Sequence, residues 1–387
     1  MHMDSVPDFA WLRKGEGFVG FGRRAVFSAP TLGEAGALWH SYLNSCETSA
    51  RPELAFVSGV FDSGNTSALA CIVVPERVEK ICVDDLGSAG CAALGGAAVL
   101  GDPQTRPASG RVAPLSPATV AASAVSVPSK ERWICAVERA LGALQNEELA
   151  KVVLARSLEL ELDVDVLGLL HFLASRYQRC WTFRVGDMVG ASPEMLIRLE
   201  GGLATSRVLA GTIPREPGAE ERLAHWLADD DKNVHEHEFA RDSVALALAP
   251  YCEAMNVPDT PSVLSLPNVL HLATDITGRV RPGVDLLELA VALHPSAAVC
   301  GTPTAAARAL IAELEGFDRG HYAAPVGWID ADGNGELAIA LRCGAVGDGK
   351  LTLYAGCGIV SQSDPLAEYA ETQAKFAPML EALGALK

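Results

Sequence analysis

Apolar runs of strand length recur along this chain: ELAFVSGVF, SALACIVVP, AKVVLARSLELEL, APVGWIDA, GELAIALRCGAV and KLTLYAGCGIV. Their β-branched content and two-residue alternation mark strands, because successive strand side chains face opposite ways. CWTFRVGDMVGASPEMLIRLEGGLATSRVLAGT reads as several more. Between them lie stretches of helical spacing, such as Trp133, Val137, Leu141 and Leu144. VLGLLHFLASRY reads as a helix, and one long helix is expected over 219–255. Shorter helices fit 286–293 and 304–314, and a last one starts near Pro365. This mixture predicts an α+β fold with antiparallel hairpins and helices on the outside.

The 387 residues suffice for one large core or two ordinary domains. The clearest change in composition is the Pro-, Ala- and Ser-rich stretch 101–129, expected to be a loop or partly ordered connection. It separates a strand-rich part, 1–129, from 130–387. With 48 acids against 31 bases the net charge is -17, which disfavours nucleic acid or an anionic membrane as partner. A local basic pocket for a small anion remains compatible with that charge. The ten cysteines form no CxxC pair, and most sit among apolar neighbours. They are expected to be reduced thiols of a cytoplasmic protein. The start, MHMDSVPDFAWLRKGEG, lacks the apolar run of a signal peptide, and no apolar stretch is long enough for a membrane span.

Four motifs suggest chemistry and lack its context. GEGFVG (15–20) matches a dinucleotide loop but is followed by strand-like FVGFGRRAVFS, so it reads as a turn between strands. DADGNG (330–335) begins like a calcium loop, yet its twelfth position is Leu341 where a bidentate Glu is needed. A hairpin turn is expected there. Asn65-Thr66-Ser67 is a sequon read as a polar turn. GTP (301–303) reads as a turn leading into a helix.

Two acidic stretches carry more. In NVHEHEFA (233–240), His235 and His237 are two apart and diverge on a helix, so the zinc spacing of HExxH is absent. Alone, the stretch reads as a solvated helix face or as a hard-cation site using one glutamate. In AEYAETQAK, Glu368, Glu371 and Lys375 share a helix face. The preceding YAGCGIVSQSDP ends a strand in glycines, and Gly356 and Gly358 let backbone amides approach a ligand. Carboxylates beyond such a turn suit Mg²⁺, which takes a few protein oxygens and leaves sites for water and substrate.

KVVLAR, ASPEMLIRLEGG, VLAGTIPR, KNVHEHE, VLHLAT, LHPSAAVCGTP, ELEGFDRGHYAAPVGW, ALRCGAV, AGCGIV and AEYAETQAK occur in this order. Together they resemble the chorismate-utilising enzymes, the isochorismate, salicylate, anthranilate and aminodeoxychorismate synthases. The resemblance implies one large α+β domain over 1–387, with two packed antiparallel sheets and outer helices, and makes 101–129 a surface connection. It implies Glu236 and Glu371 as Mg²⁺ ligands, with Glu368 acting through a water and His235, His237 and Glu238 as neighbours.

By the same resemblance Lys151 is the base that activates water and Glu194 the acid that protonates the departing hydroxyl. A lysine acting as base has to shed its proton, which burial or a nearby cation favours. Glu194 needs a raised pKa to donate near neutral pH. Without the resemblance, Lys151 reads as an exposed strand start and Glu194 as a turn residue after Pro193. Arg342 and Lys375 match the groups that hold substrate carboxylates, with the amides of Gly356, Gly358 and Ile359 as helpers. Ala210, Gly211, Thr212 and His271 are expected to line the pocket, and Thr302 and Tyr322 to border it.

Related aminodeoxychorismate synthases carry Lys where Ala210 stands, and anthranilate synthases carry Gln where Lys151 stands. Water is therefore the expected nucleophile, isochorismate the expected product, and no glutaminase subunit or second copy of the chain is expected. The alternatives are a salicylate synthase, which also eliminates pyruvate, and a silent chorismate-binding relative. The motifs do not separate siderophore from menaquinone synthesis as the product's destination.

Overall fold

The computed structural model describes residues 6–86, 124–146, 149–216, 218–265, 269–347 and 349–385. Two ten-stranded sheets, antiparallel at every pairing described, make up its body. The first runs in the order Gly301–Thr302, Lys151–Glu161, Lys350–Ile359, Cys343–Gly347, Met188–Ser192, Trp181–Val185, Phe9–Arg13, Glu16–Phe21 and Arg77–Cys82. Val125–Val127 also pairs with Lys151–Glu161. The second runs Cys252–Asn256, Val269–Val280, Leu203–Pro214, Met195–Glu200, Gly335–Ile339, Pro325–Asp330, Leu54–Ser58, Ala70–Val74 and Ala25–Ala29, with Ser262–Ser265 beside Val269–Val280.

Strand alternation decides which core each side chain joins. Phe9 and Trp11 enter the main core with Phe56, Ile197 and Leu337 of the second sheet. Ala10 and Leu12 face the other way, into a layer covered by helices Val166–Arg176 and Pro365–Ala385. The strands of residues 9–82 are divided between the two sheets, so this part has no separate core. The α+β reading, with antiparallel sheets and outer helices, agrees with this architecture.

Three expectations change. The helix expected over 219–255 is Glu220–Asp229, then Asp231–Leu248, then the strand Cys252–Asn256. Asp230 causes the break: at φ -79° and ψ 107° it leaves the helix, and its side chain accepts the Asn233 N–H. GELAIALRCGAV is two strands, Gly335–Ile339 in the second sheet and Cys343–Gly347 in the first. The chain changes sheets around Arg342, whose φ of +50° is left-handed. Of the expected connection 101–129, the part 101–123 lies outside the described residues, and Val125–Val127 is a strand.

The turns fare better. Asp330 Oδ1 accepts the Asp332 and Asn334 N–H groups, closing the hairpin in place of a calcium site. Gly15 is a left-handed turn residue before the strand Glu16–Phe21, which contains most of GEGFVG. GTP departs from its reading as a turn: Gly301–Thr302 pairs as a short strand with Lys151 and Val152, and Pro303 is the cap residue just before the helix Thr304–Leu314.

Candidate active site

One cavity lies where the two sheets meet the helices Asp231–Leu248 and Pro365–Ala385. It is lined by Lys151, Glu194, Ala210, Gly211, Thr212, Glu236, His271, Tyr322, Arg342, Gly356, Gly358, Glu368, Glu371 and Lys375. These positions are scattered over 225 residues of sequence by their numbering, and strand ends and helix faces bring them together.

Lys151 opens a strand of the first sheet, and its Nζ donates to Glu236 Oε1 at 2.7 Å. Gly358 makes this possible: a Cβ there would lie 2.8 Å from Lys151 Cε. Lys151 thus has a carboxylate as its close partner, where burial or a nearby cation was the expectation. Glu236 is brought in by its helix, which starts at the Asp230 cap and packs on Leu203–Pro214. Gly211 sits at a bulge of that strand with φ +74°. A Cβ on it would meet Asn233 Cβ at 3.2 Å, so glycine lets helix and strand approach. His237 secures the same contact, with Nδ1 on the Ala210 carbonyl at 3.2 Å and Nε2 on Thr274 Oγ1 at 2.7 Å. Both ring nitrogens are engaged by this contact.

Glu194, 9% exposed, follows Met188–Ser192 and precedes Met195–Glu200 at a crossing between sheets. Burial pushes its carboxyl up to about 7, against the pull of Lys151, Arg342 and Lys375. His271 is pushed down to about 3 by burial and by Arg342 and Lys375, so it is neutral. Thr212 Oγ1 lies 2.8 Å from its Nδ1, and its Nε2 is buried without a partner. Lys375 Nζ donates to the Gly356 carbonyl at 2.9 Å and pairs with Glu371 at 2.5 Å.

The metal reading meets a mixed geometry. Among the described residues, no three His, Cys, Asp or Glu side chains are gathered as a ready metal cage. Glu236 and Glu371 each hold a lysine. All three expected carboxylates nevertheless line the same cavity. Glu368 Oε2 is buried without a hydrogen-bond partner, and burial, with the Glu371 carboxylate adding, raises its carboxyl. An all-oxygen donor set with one orphaned buried oxygen fits a hard cation such as Mg²⁺.

Two expected contributors fall outside the cavity. Ile359, expected to help through its backbone amide, is not among the lining residues, and its side chain is buried in the main core beside Val152. Thr302 pairs with Lys151 and lines an outer hollow that shares Lys151 and Glu236 with the cavity. Asn233, Arg319 and Ser363 line the cavity without having been singled out. Arg319 stands in FDRGHY, beside the chosen Tyr322, but no spacing rule marks an arginine that will be buried. Among the described residues no helix is long and apolar enough to cross a membrane.

A family model described as chorismate binding enzyme matches residues 105–384. The isochorismate synthase DhbC of Bacillus subtilis is 40% identical over 274 residues, covering 67% of this chain and 69% of that one. The isochorismate synthase MenF of the same organism is 39% identical over 263 residues; the match covers 66% of this chain and spans 56% of that relative's length. The solved structure of MenF, the menaquinone-specific isochorismate synthase from Escherichia coli, superposes with a TM-score of 0.77 at 25% identity, over 98% of this chain and 89% of that one.

Proposed function

Because the chain belongs to the chorismate binding enzymes, we propose that it is an isochorismate synthase. It adds water at ring carbon 2 of chorismate and releases the carbon 4 hydroxyl. The observation that carries this reading is a lysine and a buried carboxyl raised to about 7 in one cavity with Arg342 and Lys375.

Lys151 takes a proton from the attacking water. Glu194, about half protonated near pH 7, gives one to the departing hydroxyl, so the water added and the water released balance, and the proton taken by Lys151 returns to Glu194 through solvent before the next turnover. Arg342 and Lys375 supply positive charge for the substrate carboxylates. Neutral His271 and Thr212 offer uncharged polar contacts in the same cavity. Glu236, Glu368 and Glu371 would hold Mg²⁺, which supplies Lewis-acid charge to a substrate carboxylate. Ala210 stands where aminodeoxychorismate synthases carry a lysine, and Lys151 where anthranilate synthases carry glutamine, so water is the nucleophile and no glutaminase subunit is needed.

Incubation with chorismate and Mg²⁺, followed by chromatography, tests the proposal. Isochorismate is the expected product. Salicylate with pyruvate would reassign the chain to the salicylate synthases, and no turnover would make it a binding protein.

A further inference from the structure

The strand that carries Lys151 has an interrupted outer edge. Gly301–Thr302 pairs with Val152 and Lys151, and Val125–Val127 pairs with 157–159. Between these short partners, the Val153 carbonyl and the Ala155 N–H are met by side chains. Glu315 Oε1 accepts the Ala155 N–H at 2.7 Å, and Arg319 Nη2 donates to the Val153 carbonyl at 2.8 Å. Glu315 and Arg319 form an ion pair, with Nε on Oε2 at 2.8 Å, and their side chains are 2% and 3% exposed. Arg319 Nη1 donates to the Val299 carbonyl at 2.8 Å, and the guanidinium lies 4.1 Å over the Phe61 ring.

One acceptor and one donor, offered to groups two residues apart, are what a neighbouring strand would present. We infer that the Glu315–Arg319 pair is a positioning device. It replaces the missing strand on the edge of Lys151–Glu161 and holds Lys151, with the segment 299–302, at the height the reaction needs. Arg319 borders the cavity, but each of its three nitrogens already donates to Glu315, Val153 or Val299. It therefore acts through the Lys151 strand and not on the substrate. Arginine suits the role because its planar fork reaches several acceptors at once, which a lysine ammonium on a flexible stem does not.

The kinetic part of this inference rests on Lys151 being the base, so the test includes a readout that does not. The double variant Glu315→Leu/Arg319→Met replaces the ion pair by apolar side chains, so neither charge is left buried and unpaired. Because the Ala155 N–H and the carbonyls of Val153 and Val299 lose their side-chain partners, the expected result is a lowered melting temperature, a kcat lowered by about 10²-fold through misplacement of the base, and a KM within a few-fold. Hydrogen exchange of the segment 151–157 should accelerate by at least about tenfold. Wild-type kcat in the folded double variant would overturn the inference, as would unchanged exchange. Should the double variant not fold, Arg319→Lys retains the charge and loses the fork. It is expected to show the same split between kcat and KM, and wild-type kcat there would equally overturn the inference. If the wild-type protein left chorismate untouched, the proposed function would fall. The exchange of 151–157 would then decide the clamp alone, and no acceleration would sink it.

Discussion

Lys151 Nζ meets Glu236 Oε1 at 2.7 Å across 85 residues of sequence. The lysine opens a strand of the first sheet, and the glutamate rides on a helix packed against the second. This contact therefore joins the two halves of the cavity, and it joins the proposed base to a proposed metal ligand. Lys375 and Glu371 repeat the arrangement within one helix, at 2.5 Å.

Magnesium should be required. Turnover is expected to stop in excess EDTA and return when Mg²⁺ is added. Glu236→Gln and Glu371→Gln should each lower kcat by at least about a hundredfold, since Lewis-acid charge contributes several kcal/mol. Titration calorimetry of the folded variants should show weakened Mg²⁺ binding. Full activity in EDTA would remove the metal from the mechanism.

The acid and base should separate from the binding groups in steady-state kinetics. Lys151→Ala and Glu194→Gln are each expected to lower kcat by roughly 10²–10⁴-fold with little change in KM. Arg342→Ala should mainly raise KM. A Lys151→Ala variant with near-normal kcat would mean that another group is the base.

The pH profile should carry the mark of Glu194. The acid works protonated, and its carboxyl sits at about 7. Activity is therefore expected to fall on the alkaline side from about pH 7, and this limb should change in Glu194→Gln. Stability follows with the same sign. The folded protein holds this proton to a higher pH than the unfolded chain, so stability is lost as pH rises from the ordinary 4.5 to about 7. The loss is about 3 kcal/mol. Urea melts at pH 5 and pH 8.5 should show a smaller pH dependence in Glu194→Gln than in wild type.

Ammonium salts should yield no aminated product. Ala210 stands where aminodeoxychorismate synthases carry a lysine, and Lys151 stands where ammonia-using relatives carry glutamine. Chromatography of reactions in ammonium buffer checks this, and accumulation of anthranilate would refute it.

Gly211→Ala should be costly for a small change. The backbone there is at φ +74°, and the new Cβ would press on Asn233 at 3.2 Å. The conformational part alone is about 1–2 kcal/mol. A lowered melting temperature is expected, with reduced turnover as the helix bearing Glu236 shifts.

The sequence alone determined the kind of molecule. Strand alternation announced an α+β fold, and ordered motifs singled out Lys151, Glu194, Glu236, Glu371 and Lys375, all of which line one cavity. Periodicity is a local property, set by which face of an element avoids water, so it survives in a single sequence. The helix break at Asp230 was visible as a capping residue but was hidden in a longer polar stretch. What only the tertiary structure decided depends on partners distant in sequence. Arg342 lies where the chain changes sheets, Ile359 turns into the core, and Glu315 and Arg319 fill a gap in a strand edge. The raised carboxyl of Glu194 belongs to the same class. Desolvation comes from the elements that close around a group, and no spacing within ASPEM encodes them.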